Sequence, residues 1–75
     1  MREKFLKFVA EIFDVNPSEI SMETGFKTIE IWDSLMHLRL VAEISDKYNV
    51  EIPIDEIAEI KTLGDFYKYI VGENK

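Results

Sequence analysis

Few residues in this chain carry groups suited to covalent or coordination chemistry. There is no cysteine and only one histidine, His37. Disulfides are therefore excluded, and the ligand types argue against a structural zinc site. The acids follow no D-x-[DN]-x-[DN]-G spacing and scatter over what read as helix faces, a solvated surface rather than a metal loop. The stretch "EIWDSLMHLRLV", Glu30 to Val41, is the exception. Ser34 precedes His37 by one helical turn, which invites a nucleophile–base reading. Both would lie on one helix, nothing obvious orients the imidazole and no oxyanion hole is signalled. Catalysis is not expected, and His37 is expected to pack at the edge of its helix.

Two uses of Ser34 remain. In the structural one, Asp33 caps a helix and Ser34 is tolerated in its first turn. In the chemical one, Ser34 carries a covalently attached phosphate. The first-turn N–H groups of a helix are unpaired and its dipole is positive there, so a serine phosphodiester is stabilised. A loop–helix junction is also within reach of a modifying enzyme.

The elements that must position this serine follow from periodicity. Phe5, Leu6, Phe8, Val9, Ile12 and Phe13 fill one face of a helix over Arg2 to Phe13, with Glu3, Lys7 and Glu11 on the other. Asp14 to Pro17 ends it. Residues 16 to 33 read as a long connection with isolated anchors at Ile20, Phe26, Ile29 and Ile31. Long loops in small domains often serve function. A second helix is expected from Ser34 to Tyr48. Leu35, Leu38, Val41, Ala42, Ile44 and Tyr48 form its apolar arc, and Arg39, Glu43, Asp46 and Lys47 its polar strip. Met36 falls on that strip. Leu35, Leu38 and Ala42 are expected to face the core together with Phe5, Val9, Ile12, Phe66 and Ile70. Asn49 stops the helix and Pro53 blocks continuation. Asp55 to Ile60 reads as one short helical turn, although "VEIPI" (50–54) could pass for a strand. Thr62 to Asp65 resembles a capping box for a last helix whose face is Leu63, Phe66, Tyr67, Ile70 and Val71. Residues 72–75 read as a frayed tail. The expected fold is all-α and a single domain over 1–75, with three main helices and one short one.

Composition narrows the function. With 15 acidic against 9 basic residues the formal net charge is −6, which disfavours nucleic acid as a partner. A core this small, without disulfide or metal, must be held by apolar packing, and 47% hydrophobic residues can supply it. No apolar run is long enough to span a membrane and no signal-peptide pattern precedes the fold, so a cytoplasmic protein is expected; a monomer is expected as well.

Four stretches in order resemble the acyl carrier protein family, the phosphopantetheine-dependent carrier proteins. "VNPSEISMETGF" (15–26) is similar to the family's first loop. "WDSL" (32–35) matches its Asp-Ser-Leu attachment motif. "YNVEIP" (48–53) resembles the segment after its second helix, and "IKTLGDFYKYI" (60–70) the start of its last helix. The resemblance implies a small four-helix bundle with a short third helix and a 4′-phosphopantetheine group covalently attached at Ser34. It implies installation from coenzyme A by a magnesium-using phosphopantetheinyl transferase, with Asp33 helping to position the metal. The arm's thiol, the only one on this chain, would hold acyl intermediates as thioesters, as in fatty acid or polyketide biosynthesis. A loading ligase and downstream transferases or synthases would be its further partners. Two departures bear on the pathway. "IEIW" (29–32) lacks the Leu-Gly that the family often has before the motif. Met36 and Arg39 stand where carriers of fatty acid synthesis tend to have acids. The second departure favours a discrete carrier in a dedicated pathway, whereas the missing glycine changes the loop's route more than its chemistry and makes an aminoacyl cargo a rival. An aminoacyl or peptidyl carrier working with an adenylating enzyme, and a helical interaction module without the prosthetic group, are the alternatives.

Overall fold

The computed structural model describes residues 2–72. Four helices occur among them: α1 (Arg2–Phe13), α2 (Ser34–Tyr48), α3 (Ile54–Ile57) and α4 (Leu63–Val71), with a short 3-10 turn at Pro17–Glu19. The arrangement is the all-α, three-long-plus-one-short pattern expected. Residues 50–53 form no strand, and among the described residues an isolated bridge joins Gly25 to Thr62. Gly72 caps α4 in the left-handed conformation, φ 78°; residues 73–75 of the expected tail lie outside the described residues.

Local chemistry accounts for the boundaries. Asp14 adopts φ 61° after α1, and the Val15 amide turns back to the Ala10 carbonyl at 3.0 Å, closing the helix end as a Schellman-type turn does. Asp33 caps α2 by accepting the Met36 amide at 2.9 Å. Asn49 ends α2 at φ 54°, a left-handed position where asparagine is among the best-tolerated side chains. At α4, Thr62 Oγ1 accepts the Asp65 amide at 3.2 Å. Asp65 Oδ2 accepts the Lys61 and Thr62 amides at 2.9 and 3.2 Å. The expected capping box is therefore present in full.

The long connection is tied down rather than loose. The Phe26 amide donates to the Lys61 carbonyl at 2.7 Å, Leu63 donates to Thr24 at 3.0 Å and Gly64 to Met22 at 2.8 Å. A Cβ at position 64 would stand 3.1 Å from the Met22 carbonyl, so this close approach favours glycine. Through these bonds the loop is stitched to the start of α4. Ile20 is buried and Phe26 and Ile29 are half-buried, as anchors should be. Ile31 is exposed instead, and its neighbour Trp32 fills the core completely.

The core joins Phe5, Val9, Ala10, Ile12 and Phe13 of α1 to Leu40 and Ile44 of α2 and Leu63 and Phe66 of α4, with Ile20, Trp32, Ile52 and Ile60 between them. Phe5, Val9, Ile12 and Phe66 face inward as expected and Ile70 is half-buried, whereas Val71 is exposed. The expected face of α2 is corrected. Leu35 is 79% exposed, Leu38 57%, and Ala42 is exposed too, while His37, Leu40 and Ile44 are buried. Met36, placed on the polar strip by periodicity, packs half-buried against the core. The physical reason lies in His37. Reading it as polar steered the apolar arc away from it, but both of its ring nitrogens are hydrogen-bonded inside the protein, which removes the penalty for burial.

Candidate functional site

Ser34 is the first residue of α2, the longest helix, and is exposed. Two first-turn donors of α2 already have partners: the Met36 amide on the Asp33 carboxylate, and the His37 amide on the Asp33 carbonyl at 2.9 Å. The Ser34 and Leu35 amides have no carbonyl four residues back within the helix. They stand at its positive end, beside the Ser34 hydroxyl. The three other serines are placed differently. Ser18 lies within the 3-10 turn, Ser21 Oγ is bonded to Glu23, and Ser45 is half-buried near the far end of α2.

What holds Ser34 in place lies directly beneath it. The Trp32 indole N–H donates to His37 Nδ1 at 3.0 Å. His37 Nε2 pairs with the Ile57 carbonyl at 2.9 Å. An indole is a donor only, so Nδ1 must accept, and Nε2 carries the proton that the carbonyl accepts. This relay crosses the N-terminus of α2 and fastens the end of the loop, the helix and α3 to one another. Aromatic rings enclose it. Trp32 lies 5.7 Å from Phe13, 6.1 Å from Phe26 and 6.3 Å from Phe66 between ring centres. His37 lies 4.8 Å from Phe26 and 5.5 Å from Phe66. His37 is thus a buried structural residue, not an edge residue, and with both nitrogens engaged it offers Ser34 no free base. Neither Trp32 nor His37 was assigned this role from periodicity. The available signal was a donor-only indole five positions before the chain's lone imidazole, across a helix start.

The surface beside Ser34 is apolar. Ile31, Leu35 and Leu38 are exposed there and line a shallow groove with Asp33, Met36 and Arg39. Arg39 pairs with Glu43 at 3.5 Å across an exposed face, a contact worth about 0.3–0.5 kcal/mol for such helix pairs. Among the described residues no group of three or more His, Cys, Asp or Glu side chains is placed to hold a metal ion. No helix among them is long and apolar enough to cross a membrane.

Comparison with known proteins assigns the class. A family model described as "Phosphopantetheine attachment site" matches residues 3–70. The acyl carrier protein of Wolinella succinogenes is 40% identical over 62 residues, covering 83% of this chain and 82% of the relative. That of Rhodococcus erythropolis is 31% identical over 64 residues, covering 85% and 70%. The meromycolate extension acyl carrier protein of Mycobacterium leprae is 34% identical over 73 residues, 92% of this chain and 64% of the relative. The chain belongs to the acyl carrier protein family, whose prosthetic group is 4′-phosphopantetheine.

The residues present fit that group. A phosphodiester needs an exposed hydroxyl and benefits from unpaired amides at a helix N-terminus, and residues 34 and 35 combine both. The carboxylate of Asp33 is turned onto the Met36 amide, so the neighbouring negative charge is partly neutralised by the helix end.

Proposed function

We propose that this protein is an acyl carrier in which Ser34 is the attachment point of 4′-phosphopantetheine. The observation that carries the proposal is the exposed Ser34 hydroxyl at the first position of α2. In the attachment reaction Ser34 Oγ loses its proton and bonds to the phosphorus that bears pantetheine in coenzyme A. The pyrophosphate bond breaks and adenosine 3′,5′-bisphosphate leaves. Asp33, exposed and adjacent, helps position the transferase's magnesium. Once attached, the arm supplies a thiol that holds acyl groups as thioesters.

The protein's own residues then do three things. The first turn of α2 stabilises the phosphodiester charge. The Trp32–His37–Ile57 relay keeps that turn in one orientation. The exposed side chains of Ile31, Leu35 and Leu38 offer a landing surface to the transferase and to the ligases, transferases and synthases that act on the arm. Apolar anchors at the centre of a small contact supply most of its binding energy. Arg39 on the rim favours partners whose docking surfaces are not basic. The relatives support an acyl rather than aminoacyl cargo, and the meromycolate carrier supports service in a dedicated pathway. The protein carries an intermediate and leaves catalysis to its partners.

The test is to incubate the protein with a phosphopantetheinyl transferase, coenzyme A and magnesium, digest it and map the added group by tandem mass spectrometry. Its position on the peptide containing Ser34 is expected. Its position on Ser18, Ser21 or Ser45 would overturn the assignment. Leu35→Asp with Leu38→Asp should leave the melting temperature nearly unchanged and slow arm installation and transfer.

A further inference from the structure

Large side chains occupy the interior of the bundle behind Ser34. Trp32 and Phe66 are fully buried, as are Leu40 and Ile44, and His37 is 6% exposed. These side chains occupy the region where the end of the loop, α2, α3 and α4 meet. That is where an acyl chain running inward from Ser34 would have to go. Entry would require the Trp32 indole to swing out. The indole is held by its 3.0 Å bond to His37, and His37 is held in turn by the 2.9 Å contact with the Ile57 carbonyl. Displacing the indole would orphan a buried imidazole nitrogen, and an alkyl chain could not replace the lost donor. The rings of Phe13, Phe26 and Phe66 brace the indole from three elements, so swinging it out would break these contacts as well.

We infer that the Trp32–His37–Ile57 relay closes the interior to the carried group, so that the acyl chain on the arm stays outside the bundle; this rests on the carrier function proposed above. Trp32 is the residue that decides it, a specificity determinant rather than a group acting on the thioester. A carrier closed in this way suits short or polar acyl groups, whose exposure to water costs little, and leaves the thioester open to partner enzymes without a prior unpacking step. Closure also explains why the interior needs a hydrogen-bonded pair rather than an apolar one. Two paired nitrogens fix the rotamers of both rings, which apolar packing alone fixes less tightly.

The chain has one tryptophan, so the closing residue reports on itself. The full chain is loaded by a phosphopantetheinyl transferase from acetyl-, butyryl- and octanoyl-coenzyme A, and loading is verified by intact mass. Trp32 emission, its quenching by acrylamide and the rate of thioester cleavage by hydroxylamine are then measured. The expected result is an emission maximum and quenching unchanged from the unloaded protein for all three. Each cleavage rate should equal that of the same acyl group on free pantetheine. An emission shift that grows with chain length, or slower cleavage of the octanoyl form, would overturn the inference while leaving the attachment site standing. Failure to load at all would overturn the carrier reading and this inference with it. In Trp32→Leu, which opens space and removes the donor, octanoyl cleavage should become slower than in the wild type. A folded Trp32→Leu protein with unchanged cleavage would show that Trp32 is not what closes the interior. Should that variant not fold, the wild-type series decides alone.

Discussion

Replacing Trp32 by phenylalanine removes the indole N–H while keeping an aromatic ring in the core. Two costs follow. His37 Nδ1 loses its 3.0 Å donor in a buried ring cluster, which costs about 1–3 kcal/mol for an unsatisfied polar atom. The smaller ring leaves a void of roughly 40 Å³, which at ~24 cal/mol per Å³ adds about 1 kcal/mol. Together they amount to about 2–4 kcal/mol, against a total stability on the order of 4–11 kcal/mol for a domain of this size. At ~4–8 °C per kcal/mol, the melting temperature should fall by on the order of 8–32 °C. The partner change His37→Leu strands the indole N–H and the Ile57 carbonyl, whereas the double variant strands only the carbonyl. A denaturant-melt cycle over the wild type, Trp32→Phe, His37→Leu and both together should show the double variant less destabilised than the sum of the singles by about 1 kcal/mol or more. Additivity within about 0.5 kcal/mol would refute the hydrogen bond, and with it the account of how the start of α2 is held.

Other perturbations test neighbouring parts of the account. Leu40→Ala should cost about 2–5 kcal/mol because Leu40 is fully buried. Leu38→Ala, at an exposed position, should stay within about 0.5 kcal/mol; equal thermal melts for the two would show the buried face of α2 to be misassigned. Asp33→Ala removes the cap on the Met36 amide and should lower stability by about 0.5–2 kcal/mol in a denaturant melt. Tyr48 has its ionisation pushed up, first by burial and second by the neighbouring Tyr67. Its neutral form is therefore favoured by folding. That contribution is fully present below the ordinary tyrosine range and is lost as the pH rises through the raised folded value. Tyr48→Phe should accordingly flatten the alkaline end of the stability–pH curve, and an unchanged curve would count against the raised value.

Much of this architecture was legible in the sequence because its signals are local. Arg2–Phe13 and Ser34–Tyr48 emerged with their observed ends. A caps-and-breakers reading needs only Asp14, Asp33, Asn49 and the Thr62–Asp65 pair, each acting within four residues. The place of Ser34 at the start of α2 was legible for the same reason. The buried face of α2 was not. Among its apolar residues two stripes stand out: Leu40 and Ile44 face the core, and Leu35, Leu38 and Ala42 face solvent. Periodicity records apolarity but not which stripe has a partner. That choice is made by Trp32, on a loop, and by the Ile57 carbonyl, 20 positions away. Such a non-local hydrogen bond turns a polar histidine into a core residue. Met36, which periodicity puts on the polar strip, is half-buried against the core for the same reason, and Leu35 and Leu38 are the exposed apolar residues of this end of α2.

The central claim is that Ser34 accepts the arm. Intact mass spectrometry of the wild type and of Ser34→Ala, each incubated with transferase, coenzyme A and magnesium, tests it most directly, with circular dichroism confirming that both are folded. The wild type should gain one phosphopantetheinyl group and the folded alanine variant none. An unmodified wild type, or a modified alanine variant, would contradict it.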